Sequence, residues 1–177
     1  MKVGNYEFAL KGIKHFPAGS EETECFVAVL YVNGKKLADC SNEGHGGSTN
    51  VRFYPETVRL GREIEAFLAT QPKIRPEGYD FELDLDLEYI ADDLLYKHLH
   101  AKEREKLMRK ADKSLVFQDK NKGYYHISWK NKQLTIATLL KMSTGRASIK
   151  SIIAAETAKG SILLNENIPA ELLPQAK

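Results

Sequence analysis

Residues Glu24 to Leu37 read Glu-Cys-Phe-Val-Ala-Val-Leu-Tyr-Val-Asn-Gly-Lys-Lys-Leu, and no other stretch of the chain restricts the fold so tightly. Asn-Gly between two strand-like runs calls for a two-residue type I′ turn, because that turn needs positive φ at both central residues. The segment therefore predicts a hairpin, with a first strand over Glu24 to Val32 and a return strand over Lys35 to Ser41. The first strand is apolar at successive positions, as a central strand covered on both faces should be. A two-residue loop sets Val32 opposite Lys35, Cys25 opposite Asn42 and Cys40 opposite Val27. That register puts the two cysteines on one face as diagonal neighbours, about 7 Å apart at the backbone and at the outer limit for a bridge. The expectation is a pair of thiols rather than a disulfide.

Around this hairpin the N-terminal part is β-rich. Tyr6 to Phe16 alternates with period two, and Gly12 is placed where a bulge would turn Ile13 inward. A short strand is predicted over Val51 to Tyr54. Pro55 and Glu56 suit a helix start, and Leu60, Ile64, Phe67 and Leu68 form the apolar stripe of a helix that stops at Gln71-Pro72. Gly61 sits on that stripe, where a missing Cβ lets a helix approach a sheet closely.

A proline-edged linker, Lys73 to Gly78, separates this part from a helix-rich one. Period-two alternation from Asp80 predicts an extended arm. It gives way near residue 86 to a helical stripe of Leu87, Ala91, Leu94, Leu95 and His98, with the helix continuing or restarting through Glu103 to Lys113. Two strands (Leu115 to Gln118 and Tyr124 to Trp129), two helices (Leu134 to Met142 and Ala147 to Lys159, the latter closed by Gly160) and a short strand over Ser161 to Leu164 follow. The fold class expected is α+β: an antiparallel sheet with a packed helix in residues 1–72, then a helical portion with a small hairpin in residues 79–177, either as two parts or as one compact domain.

Composition narrows the function classes. The 177 residues are 42% hydrophobic and 28% charged with two cysteines, which excludes collagen-like and disulfide-dense chains. A formal charge of +2 names no partner by itself. There is no apolar run of membrane-spanning length and no N-terminal signal pattern, so a cytoplasmic location without membrane association is expected.

Three constellations could carry function. The first is the loop Ser41-Asn42-Glu43-Gly44-His45-Gly46-Gly47-Ser48-Thr49-Asn50, with Asn42, Glu43, His45, Ser48 and Asn50 as candidate binding residues. Its glycines can turn backbone N–H groups inward around an anion. They equally suit a wide hairpin loop that needs positive φ, and neither nucleotide-binding glycine fingerprint is present. The second is an acidic run (Glu77, Asp80, Glu82, Asp84, Asp86, Glu88, Asp92 and Asp93) that contains no Lys or Arg. In an extended chain its alternate carboxylates would share a face at about 6.6 Å intervals, a surface for an interaction partner or a divalent cation, though no EF-hand spacing occurs. The third is the basic stretch from 97 to 132, with Lys102, Arg104, Lys106, Arg109 and Lys110 near Tyr124, Tyr125 and Trp129. It fits phosphate-backbone binding, or a solvent-facing helix laced by Glu103/Lys106 and Glu105/Arg109 pairs. His98 and His100 are two apart on a predicted helix and cannot chelate one metal together. No motif implies a cofactor or a catalytic residue.

The strand ending in Asn-Gly-Lys-Lys, its return strand and Ser-Asn-Glu-Gly-His-Gly-Gly-Ser resemble a pattern found in small uncharacterised proteins of bacteria, bacteriophages and other mobile elements. The resemblance covers residues 24 to 54 and, more faintly, Leu-Asn-Glu-Asn-Ile-Pro at 164 to 169. It implies a cytoplasmic accessory protein and no particular activity; the function expected is non-catalytic binding of a host protein, as a phage or mobile-element inhibitor or modulator of a host defence factor. A nucleic-acid-binding module using residues 97 to 132 and a metal-dependent enzyme using residues 80 to 93 are the alternatives.

Overall fold

The computed structural model describes residues 1–75 and 80–174. The chain divides into two compact units, Met1–His98 and Leu99–Lys177. The boundary thus falls inside a helix and not in the linker at 73–78, part of which lies outside the described residues.

The first unit is built on a five-stranded antiparallel meander in the order β1 (Lys2–Val3), β2 (Tyr6–His15), β3 (Phe26–Val32), β4 (Lys35–Asn42) and β5 (Asn50–Phe53). Asn33 and Gly34 both have positive φ, 47° and 79°, as the type I′ hairpin requires. In β2 the pairing with β3 shifts between Lys11 and Lys14, so Gly12 forms the expected bulge. One face of the sheet is closed: Phe8, Phe26, Ala28, Leu30, Val32, Ala38 and Cys40 are all buried. Also buried in this unit are Ile64 and Leu68 of α1 (Val58–Leu68), and Leu87, Ile90, Ala91 and Leu95 of α2 (Leu87–Met108). A short 3-10 turn, Pro55–Thr57, precedes α1. The helix approaches β5 where Gly61 removes a side chain, since a Cβ there would collide with the Phe53 ring.

Asp86 ends the extended arm and caps α2, its Oδ1 accepting the Tyr89 N–H at 2.7 Å. The arm is not a free strand. Ile74 and Leu83 form an antiparallel bridge, so residues 73–75, read from the sequence as linker, pair with it. α2 is one continuous helix and stops at Met108, short of the expected Lys113.

The second unit holds a three-stranded sheet, β7 (Tyr124–Ser128), β6 (Ser114–Gln118) and β8 (Ile162–Leu163) in that order, with α3 (Ile136–Leu140) and α4 (Ser143–Ala158). The predicted hairpin therefore gains β8 as a third strand. Leu115 and Phe117 pack with Ile136, Leu139, Ile149, Ile153, Ile168 and Leu172 in one cluster. Asn165, from the second segment of the resemblance, serves as a clamp. Its Oδ1 accepts the Val116 N–H at 2.6 Å, and its Nδ2 donates to the carbonyls of Ala111 and Ser114.

Replacing Gly61 with Ala tests the closeness of α1 to β5. Overpacking costs about 1–3 kcal/mol, which outweighs the roughly 1 kcal/mol that Ala gains over Gly in a helix. The urea midpoint should fall; an unchanged or higher midpoint would show that the helix has room to spare.

Candidate binding surface

The orientation of the glycine loop begins with an extra residue in β4. Val32 pairs with Lys35 and Tyr31 with Lys36, but Leu30 then pairs with Ala38, leaving Leu37 as a bulge. Beyond it Ala28 faces Cys40, Val27 faces Ser41 and Phe26 faces Asn42. This corrects the hairpin register expected from the turn alone, and with it the shared face for the two cysteines. Cys40 is buried on the closed face beside Ala28, whereas Cys25 lies ahead of β3, half-buried against Gly19. Both are free thiols. Burial pushes the Cys40 thiol up to about 12, and the charges of Asp92 and Asp39 add to the rise, so it is no nucleophile.

The bulge turns Asn42 inward, and its buried amide organises the loop. Oδ1 accepts from the Thr23 hydroxyl and the Gly44 N–H, both at 2.8 Å. Nδ2 donates to the Gly47 carbonyl at 2.9 Å and to Thr49 Oγ1 at 3.2 Å. Buried Thr49 passes the chain on to α2: its hydroxyl donates to Asp92 Oδ1 at 2.6 Å and its N–H to Glu88 Oε1 at 3.1 Å. Gly44 has φ +91°, and its carbonyl receives the N–H groups of Glu21, Glu22 and Thr23. A Cβ on Gly44 would strike the Gly19 carbonyl oxygen. Its neighbour is thus the protein's own 19–23 segment.

Of the candidate loop residues, Asn42 is internal scaffold, while Glu43, His45, Ser48 and Asn50 are exposed. His45 lies 3.2 Å from the Glu21 carboxylate, an exposed pair. Asn50 belongs to β5, opposite Ser41.

The acidic run is largely engaged within the fold. Asp84 pairs with Lys73 at 2.9 Å, Glu82 with Arg75 at 3.9 Å and Asp93 with Lys97 at 2.6 Å. Asp86 caps α2, and Glu88 and Asp92 hold Thr49. Asp80 is exposed, and Glu77 lies outside the described residues. Among the described residues no group of three His, Cys, Asp or Glu is placed to hold a metal ion. Loss of solvation raises the Asp92 carboxyl, with Glu88 and Asp86 adding, against the opposing pull of the Thr49 hydrogen bond.

In the second unit Lys102, Arg104, Lys106, Arg109 and Lys110 are exposed. Arg109 pairs with Glu105 at 2.6 Å, and Lys110 Nζ lies 3.4 Å from His126 Nε2. The expected Glu103/Lys106 pair does not form among the described contacts, and Tyr125 and Trp129 turn into the core cluster. Tyr125 donates there to Glu156 at 2.7 Å.

A surface that the sequence reading missed is the other face of the five-stranded sheet. The pairing sets three rows across it: Lys14, Val27, Ser41 and Asn50; Lys11, Val29, Asp39 and Arg52; and Ala9, Tyr31 and Lys36. Val27, Val29 and Tyr31 form a continuous apolar stripe along β3, with Val27 43% exposed and the other two half-buried. Lys11 Nζ lies 4.5 Å from the Tyr31 ring centroid. Asp39 accepts the Tyr54 hydroxyl at 2.5 Å and lies 3.8 Å from Arg52. Among the described residues Lys11, Lys14 and Lys36 have no carboxylate partner. The signal for this face was the apolar character of both sides of β3.

No family model, curated protein or solved structure matches the chain. Among the described residues no helix is long and apolar enough to cross a membrane.

Two measurements test the loop as scaffold. Asn42→Ala strands four partners, two of them in buried Gly44 and Thr49, and should cost about 2–3 kcal/mol, whereas His45→Ala should change stability by no more than about 0.5 kcal/mol; equal urea midpoints for the two variants would refute the assignment. The raised Asp92 has a definite sign. The folded state holds that proton more tightly, so stability from this group is greatest below the ordinary aspartate range and declines as pH rises through the folded value. Asp92→Asn keeps an acceptor for Thr49 and should flatten that decline in pH-dependent urea melts; a decline as steep as the parent's would rule Asp92 out as its source.

Proposed function

We propose that the protein is a non-catalytic accessory protein that binds another protein through the open sheet face and the adjoining exposed loop residues Glu43, His45, Ser48 and Asn50. The observation that supports this reading is β3. Its sequence is apolar on both sides, yet its outward residues Val27, Val29 and Tyr31 stay exposed or half-exposed. Antiparallel sheets that leave one face to water normally alternate apolar and polar residues. A strand that breaks this rule at three successive outward positions is suited to contact with a partner. The resemblance of residues 24 to 54 to proteins of bacteriophages and mobile elements supports the narrower setting, an inhibitor or modulator of a host factor.

A second reading, nucleic-acid binding, is favoured by Lys102, Arg104 and Lys106, which lie exposed on α2 without a carboxylate partner among the described residues. Affinity purification from the native host with three baits separates the two. A stoichiometric protein retained by the parent and by the Lys102→Glu/Arg104→Glu/Lys106→Glu variant, but lost from Val27→Asp, is the result expected. Nucleic acid lost only from the charge-reversed variant, with a slope of log K on log salt of about −0.9 per phosphate contact on duplex DNA, would favour the second reading instead.

A further inference from the structure

We infer that the open face of the five-stranded sheet takes an acidic protein segment, one that presents aliphatic side chains flanked by carboxylates; this rests on the protein-binding reading above. The face has the anatomy of a small protein interface, an apolar centre with a charged rim. Val27, Val29 and Tyr31 form the centre. Lys11 and Lys14 flank it on β2, and Lys36 flanks it on β4. The rim acid is already engaged, since Asp39 accepts from Tyr54 and lies beside Arg52. Glu7, opposite Lys2 in register, and Glu43 are exposed carboxylates that lie just beyond the two ends of the stripe. The flanks of the stripe therefore offer a partner the unpaired ammonium groups of Lys11, Lys14 and Lys36, with carboxylates confined to its ends.

Single-stranded nucleic acid fits this face less well. Bases need open aromatic faces to stack on; of the two rings on this side, Tyr31 already lies under Lys11 and Tyr54 is tied by its hydroxyl to Asp39. Branched aliphatic side chains instead pack against aliphatic ones. A second copy of the same face would bring lysines against lysines, which like-charge repulsion opposes.

The test selects a surface-displayed library of random short peptides against the intact protein, then measures the winners against Val27→Asp, Tyr31→Ser and Lys11→Glu/Lys14→Glu/Lys36→Glu, each checked for a cooperative melt. Winners should combine Asp or Glu with Leu, Ile or Val, and should lose binding to Val27→Asp and Tyr31→Ser. With three exposed ion pairs at about 0.5 kcal/mol each, the charge-reversed variant should bind them about tenfold more weakly, and added salt should weaken binding to the parent. Winners that need Val27 and Tyr31 but show no acidic enrichment would overturn the acidic partner and leave the sheet face as a protein-binding site. Winners indifferent to both apolar substitutions would overturn the face itself. Displacement of the winners by oligothymidylate, or self-association of the parent that Val27→Asp abolishes, would assign the face to nucleic acid or to a second copy and overturn the proposal.

Discussion

One extra residue in β4 decides which way most of the first unit faces. A two-residue Asn-Gly turn followed by regular pairing would place Leu37, Asp39 and Ser41 on the side of Leu30 and Ala28, burying a carboxylate in the core. The bulge at Leu37 moves the pairing on by one, so Ala38, Cys40 and Asn42 point inward and Asp39 and Ser41 outward. The displaced Leu37 carbonyl is used as well: it accepts the Thr57 hydroxyl at 2.6 Å and the Tyr54 N–H at 3.4 Å. The same bulge thus orients the glycine loop through Asn42, ties down the segment leading into α1 and sets the charge pattern of the open face.

The polar network below the loop shows why so much unusual sequence is spent there. A buried amide left unsatisfied costs free energy, so Asn42 is tolerable only with partners for both its donor and acceptor atoms. Those partners come from the 19–23 segment, from the loop itself and from Thr49, which the acidic start of α2 holds in turn. Glycine at 44 is needed because a neighbouring carbonyl occupies the space of its Cβ. A glycine-rich loop that looks from its composition like a ligand cradle is here a rigid corner. Its exposed tips remain available at positions that the corner defines.

Local chemistry made much of this legible. Asn33-Gly34, Gly12, Gly61 and Gly160 each play the part their sequence context implies, because a turn, a bulge, a close approach and a helix end are decided within a few residues. The Leu37 bulge was also written in the chain, as two adjacent apolar residues, Leu37-Ala38, interrupting an otherwise alternating strand. What escaped was long-range. Nothing near Asp84 or Glu82 announces Lys73 or Arg75 as partners, and nothing near Thr49 announces Asp92, more than forty residues away. The acidic run therefore looked unpaired when the fold supplies partners for most of it. Asn165 likewise carries no local mark of the strand carbonyls it will satisfy.

The open face poses a physical problem that its own lysines resolve in part. Three outward apolar residues on a central strand invite nonspecific association, yet Val29 and Tyr31 are only half exposed. Long cationic side chains can lie along apolar surface while keeping their heads in water, and Lys11 over Tyr31 is an instance. Such a cover is self-limiting. Its ammonium groups repel one another and like-charged surfaces, which keeps the face soluble, but an arriving carboxylate pairs with them and removes the reason for that repulsion. The residues that protect β3 from indiscriminate contact are therefore those that would distinguish an acidic partner from a basic or a neutral one.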